Sequence, residues 1–75
     1  MSRREKLIAA LSNHPNNVTF AEVRALLTIE EFTLERITGS HHVFNKGDVT
    51  LVIPVHKNRV KAVYLKRILD LVEGE

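Results

Sequence analysis

Apolar positions along the chain recur first at helical spacing, then in alternation, then at helical spacing again. Leu7, Ile8 and Leu11 form a short stripe, so Ser2 to Asn13 reads as a first helix. His14-Pro15-Asn16-Asn17 ends it, because proline disfavours helical geometry in the residue before it and asparagine suits turns. Thr19-Phe20-Ala21-Glu22 has the form of a capping box, in which the threonine oxygen and the glutamate carboxylate satisfy each other's backbone amides. Val23, Leu26 and Leu27 follow at helical spacing, predicting a second helix over roughly Thr19 to Leu27.

From Phe32 the period shortens to two. Phe32, Leu34 and Arg36 alternate with Thr33, Glu35 and Ile37, as in a partly buried strand that Gly39-Ser40 breaks. His42 to Lys46 reads as a second strand, and Asn45-Lys46-Gly47-Asp48 as the turn of a hairpin. Val49 to Val55 is a third strand, apolar on both parities at Leu51, Val52 and Ile53, which predicts the most buried, central position. Pro54 has no amide hydrogen, so pairing is expected to weaken there. Lys57 to Val60 reads as a basic loop, and Leu65, Ile68, Leu69 and Val72 as the stripe of a C-terminal amphipathic helix. The order α-α-β-β-β-α predicts an α+β fold: a three-stranded antiparallel sheet with helices on one face. Without the first helix it is the order of a double-stranded-RNA-binding domain.

Composition narrows the class. Seventy-five residues are enough for a single domain over 1–75, and a domain this short buries only about 60% of its unfolded surface. There is no cysteine, hence no disulfide and no thiolate metal site, which fits a cytoplasmic location. No apolar run approaches the roughly 20 residues that cross a bilayer, and the charged start Met1 to Lys6 is unlike a signal peptide, so no membrane partner is expected. The net charge of +2 is unevenly spread. Residues 1–40 carry five basic and five acidic side chains; residues 41–67 carry six basic ones against Asp48 alone; Asp70, Glu73 and Glu75 make the tail acidic. A concentrated basic stretch is how a phosphate-binding surface appears in sequence, although a solvated lysine-rich face has the same look.

Gly39-Ser40-His41-His42-Val43-Phe44 carries the candidate chemistry. Glycine permits close backbone approach, and histidine can take and return a proton near neutral pH. Neighbouring strand residues point to opposite faces, so one of His41 and His42 is chemical and the other structural. Periodicity does not say which, because Val43 and Phe44 place an apolar residue on each parity.

The segments Phe32 to Phe44, Val52-Ile53-Pro54-Val55-His56 and Tyr64-Leu65-Lys66-Arg67-Ile68-Leu69 together resemble the HicA toxin family. The shared pattern is an aromatic and an arginine before a Gly-Ser/Gly-His turn, a hairpin, a strand ending in Pro-x-His, and a basic helix. It extends over roughly Asn16 to Val72, leaving the helix at about 2–13 as an addition that either caps the core or contacts the antitoxin. The resemblance implies an endoribonuclease toxin without a metal or other cofactor, cutting messenger RNA and held by a HicB-type antitoxin. It places the catalytic role on His41, the histidine directly after the turn. One departure is Glu31, where many members carry glycine, so a different helix-to-strand turn is expected.

RNA supplies its own nucleophile, the 2′-hydroxyl, so a histidine base and phosphate-neutralising cations suffice for cleavage. His41 is the expected base, with Ser40, Lys57, Arg59, Lys61, Lys66 and Arg67 as RNA contacts. His56 is a candidate acid, or simply ends the third strand; His14 reads as a surface residue. The alternative is a non-catalytic double-stranded-RNA-binding module. A metal hydrolase would need more acids near the histidines than Asp48, and a DNA-binding antitoxin or repressor would need a helix-turn-helix or ribbon pattern.

Overall fold

The computed structural model describes residues 2–73; Met1, Gly74 and Glu75, the last being one of the acids of the tail, lie outside the described residues. Its elements in chain order are α1 (Arg3–Asn13), β1 (Val18–Thr19), α2 (Phe20–Ile29), β2 (Thr33–Thr38), β3 (His41–Lys46), β4 (Val49–Pro54), β5 (Arg59–Val60) and α3 (Ala62–Glu73). The predicted α+β class and the order α-α-β-β-β-α both hold, with helices on one face of a three-stranded antiparallel sheet. The arrangement is compatible with a double-stranded-RNA-binding-domain fold.

Both N-terminal helices begin on capping boxes. Thr19 Oγ1 accepts the Glu22 amide at 3.2 Å, and the Thr19 amide donates to the Glu22 carboxylate at 3.0 Å. Ser2 and Glu5 repeat the device at α1. The Thr19 amide holds the Glu22 carboxyl below the usual carboxylate range, helped by the hydrogen bond from His14 Nε2 at 3.1 Å. Glu5 is lowered likewise, chiefly by the Ser2 amide.

The end of α2 overturns one expectation. Phe32 N–H bonds to the Leu27 carbonyl at 2.8 Å and Glu31 N–H to that of Thr28 at 3.0 Å, the two bonds of a Schellman cap. Such a cap needs a left-handed residue, and Glu31 supplies it at φ 69°. The turn is therefore the one glycine would make, held by a side chain that fits it less well.

One hydrophobic cluster joins all three helices to the sheet. Ile8 and Leu11 from α1, Val23, Leu26 and Leu27 from α2, Phe44 and Ile53 from the sheet, and Leu65, Ile68 and Val72 from α3 all belong to it. Buried Val43 does not, because it points away from the helices.

The strand order is β2-β3-β4, so His41–Lys46 is the middle strand and not Val49–Pro54 as expected. A two-layer domain covers one sheet face only, which leaves Val52 48% exposed despite its apolar neighbours. Pairing also does not weaken at Pro54. The register runs through His41↔Pro54, and Val55 N–H then bonds to the Ser40 carbonyl at 2.8 Å. Bonding at Ser40–Val55 makes His41–Pro54 a non-hydrogen-bonded pair, so the amide that proline lacks would have faced the open edge.

The expected basic loop is a tight hairpin. His56 and Arg59 exchange backbone hydrogen bonds at 2.8 and 3.1 Å, and the residues between them, Lys57 and Asn58, both have positive φ, the pattern of a type I′ turn. β5 then pairs with β1 in a second, two-stranded sheet, Val18↔Val60 and Thr19↔Arg59.

Candidate functional site

The site is built on the Gly39-Ser40 hairpin that feeds the middle strand. Gly39 has φ +61° and Ser40 does not share it, the pattern of a type II′ turn. A Cβ on Gly39 would meet nothing within 4 Å, so glycine is there for its backbone angle and not for the close approach expected of it.

The turn sets the two histidines on opposite faces. His42 lies on the helix side: its ring stacks on Phe20 at a centroid distance of 4.4 Å, and its Nδ1 is 3.2 Å from the Ser40 carbonyl. With Nδ1 as the donor, that carbonyl holds both the His42 ring and the Val55 amide. Phe20 also packs on Phe44 at 6.1 Å, so His42 is an outer member of an aromatic group reaching into the core. His41 points the other way, exposed on the face that no helix covers, between Thr38 on β2 and Pro54 on β4.

That open face carries a residue the alternation misplaces. A regular β2 would put Arg36 on the same side as Leu34, in the core. A bulge between Leu34 and Arg36 breaks the register, and Arg36 pairs with Val43 on the His41 side. It is diagonal to His41, a separation of about 7–8 Å in an antiparallel ladder. Arg36 bonds to Glu35 at 3.0 Å; Glu35 also accepts from Asn45, and Asn45 from Thr50 at 3.0 Å. An arginine in an otherwise apolar parity was the available signal for the bulge.

The predicted RNA contacts are not all on one face. Ser40 sits in the turn itself, half-buried. Lys57 tips the His56–Arg59 hairpin, which follows directly after Val55, the residue bonded to Ser40. Arg59 is exposed but bonds to Asn17 and pairs with Thr19, and Lys61 is exposed just before α3. Lys66 and Arg67 ride on the outer side of α3, in the layer behind the sheet relative to His41. His56 is exposed at the base of the hairpin, and His14 is tied to Glu22. Among the described residues no three His, Asp or Glu side chains form a group able to hold a metal ion.

A small α+β domain that presents a lone exposed histidine on an uncovered sheet face, beside a glycine turn and an arginine, has the makings of a site for an anionic substrate. A sequence model of the HicA toxin of bacterial toxin–antitoxin systems matches residues 20–72. The chain belongs to the HicA toxin family, and is thereby the toxin half of a toxin–antitoxin system, with an antitoxin as partner. No curated protein and no solved structure matches it. The matched span begins at α2, so α1 and β1 are outside it. No helix among the described residues is long and apolar enough to cross a membrane.

Proposed function

We propose that this toxin is a metal-independent endoribonuclease that cuts messenger RNA with His41 as general base, works in the cytoplasm, and is inhibited by a HicB-type antitoxin. The observation that carries the reading is the division of labour between adjacent histidines. His42 is held by Phe20 and the Ser40 carbonyl, whereas His41 stands exposed on the open face. His41 takes the proton of the 2′-hydroxyl as that oxygen attacks the adjacent phosphorus, and the 5′-oxygen leaves with a proton from a general acid. Arg36, diagonal to His41, and Lys57, at the neighbouring hairpin, supply positive charge for the phosphorane. Arg59, Lys61, Lys66 and Arg67 hold flanking phosphates, which requires RNA to wrap from the sheet edge toward α3.

Replacing His41 with alanine tests this against a non-catalytic RNA-binding module. The expected variant is folded, binds RNA, fails to cleave it and no longer arrests growth. Growth arrest by a folded His41→Ala protein, equal to wild type, would remove His41 from the mechanism.

A further inference from the structure

The first 40 residues carry five basic and five acidic side chains, but the two signs are not evenly placed. Glu5 closes the α1 capping box, Glu22 closes that of α2 and binds His14, Glu30 pairs with Arg4, and Glu35 holds Arg36 and Asn45. Four of the five acids are thus held at caps or by partners, and the fifth, Glu31, is exposed at the end of α2. Arg3, Lys6 and Arg24 are exposed and make no ion pair among the described residues.

These three cations surround one surface. A groove of about 730 Å³ runs between the start of α1, the outer side of α2 and the tip at Asn58, and Arg3 and Arg24 line it. A smaller one of about 280 Å³ continues along α1 past Lys6, sharing Arg3 and Ala25 with the first. The walls are helical stripes. Arg3, Lys6, Leu7 and Ala10 recur at i, i+3, i+4 and i+7 on α1, and Ala21, Arg24, Ala25 and Thr28 do so on α2. Each stripe lies beside the inward one made by Ile8 and Leu11, or by Val23, Leu26 and Leu27. Seven residues along a helix span about 10 Å, two turns. The surface is therefore an apolar trough, floored by Leu7, Ala25 and Ile29 and rimmed by unpaired cations.

We infer that the α1/α2 groove seats an acidic amphipathic helix of the antitoxin, its apolar stripe on the floor and its carboxylates against Arg3, Lys6 and Arg24. An apolar floor with a charged rim suits a helix laid in a groove. Phosphate chains have no use for such a floor, which favours protein over RNA. The seat is on the helix layer, away from His41, and half of it is α1, beyond the residues shared with the family. It therefore adds affinity and partner choice without needing to touch the site. The inference rests on the toxin–antitoxin pairing and is independent of the cleavage chemistry.

The test measures binding of the cognate antitoxin to the full-length toxin in the His41→Ala background, with and without Arg3→Glu/Arg24→Glu. RNA binding, circular dichroism and sedimentation are recorded for both proteins. Two reversed rim charges are expected to weaken the antitoxin by about tenfold or more, with a loss of salt dependence. RNA binding, the fold and the monomer mass are expected to stay the same. An unchanged antitoxin affinity overturns the inference. So does a parallel loss of RNA binding, which would make the groove a phosphate surface, or a wild-type dimer that the double variant dissolves, which would make the occupant a second copy. Failure of RNA cleavage by wild-type toxin would instead count against the proposed function and leave this result standing.

Discussion

The adjacent histidines should separate in stability as cleanly as they are expected to separate in chemistry. His42→Ala removes the tilted stack on Phe20, for which about 0.5–1.5 kcal/mol is typical. It also removes the bond from Nδ1 to the Ser40 carbonyl, a net contribution of about 0.5–1.5 kcal/mol. That carbonyl keeps the Val55 amide, so no orphaned acceptor adds to the cost. The total is about 1–3 kcal/mol. His41→Ala changes an exposed side chain, and its effect should stay within about 0.5 kcal/mol. Both alanines sit on β3, so the poorer strand propensity of alanine largely cancels when the two variants are compared. Urea melts followed by circular dichroism read the difference as a lower midpoint at constant slope for His42→Ala. In thermal melts, a domain of this size should lose roughly 4–8 °C per kcal/mol. Equal midpoints for the two variants, or a lower one for His41→Ala, would refute the assignment of His42 to the core and His41 to the open face.

Other consequences of the structure are open to measurement. Glu31→Gly should stabilise the protein by about 0.5–1 kcal/mol, the relief of a left-handed side chain less the added entropy of glycine when unfolded; a lower urea midpoint would mean the cap is not as described. Glu22 has a lowered carboxyl, so its contribution is present above the unfolded-state value and is lost as pH falls through the folded one. Glu22→Gln keeps the box and loses the charge, so it should cost about 0.3–1 kcal/mol at neutral pH and narrow the gap to wild type in acid, checked by melts from pH 7 to pH 3. Neutralising the His56–Arg59 hairpin with Lys57→Asn/Arg59→Gln in the His41→Ala background should weaken RNA binding. It should also flatten the salt dependence by one to two contacts, at about 0.7 to 0.9 log units each. An unchanged slope would place RNA elsewhere.

Much of this architecture was legible because local signals agreed with the packing. Leu7, Ile8 and Leu11, the Thr19–Glu22 box, and the stripe Leu65, Ile68, Leu69 and Val72 each marked a helix that the core then used. What stayed hidden depended on relations between distant segments. β1 and β5 are two residues each, too short for any period, and exist because they meet each other. The place of β4 at an edge could not be read from its apolar run, since Val52 looks as buried in sequence as Ile53 and differs only in which face is covered. The bulge that turns Arg36 toward His41 is one extra residue in an otherwise regular strand. Placement of charge was hidden too: residues 1–40 balance when counted, yet the ion pairs that form among the described residues leave out Arg3, Lys6 and Arg24.

A histidine on the open sheet face that activates the 2′-hydroxyl of RNA leaves its signature in the chemistry of the cut ends. Purified full-length toxin is incubated with a defined messenger RNA in excess chelator, and the new termini are identified by mass spectrometry. Wild-type toxin should leave 2′,3′-cyclic phosphate and 5′-hydroxyl ends, and His41→Ala should not cleave. Cleavage that requires magnesium or manganese and leaves 5′-phosphates, or cyclic ends produced equally well by His41→Ala, would contradict this mechanism.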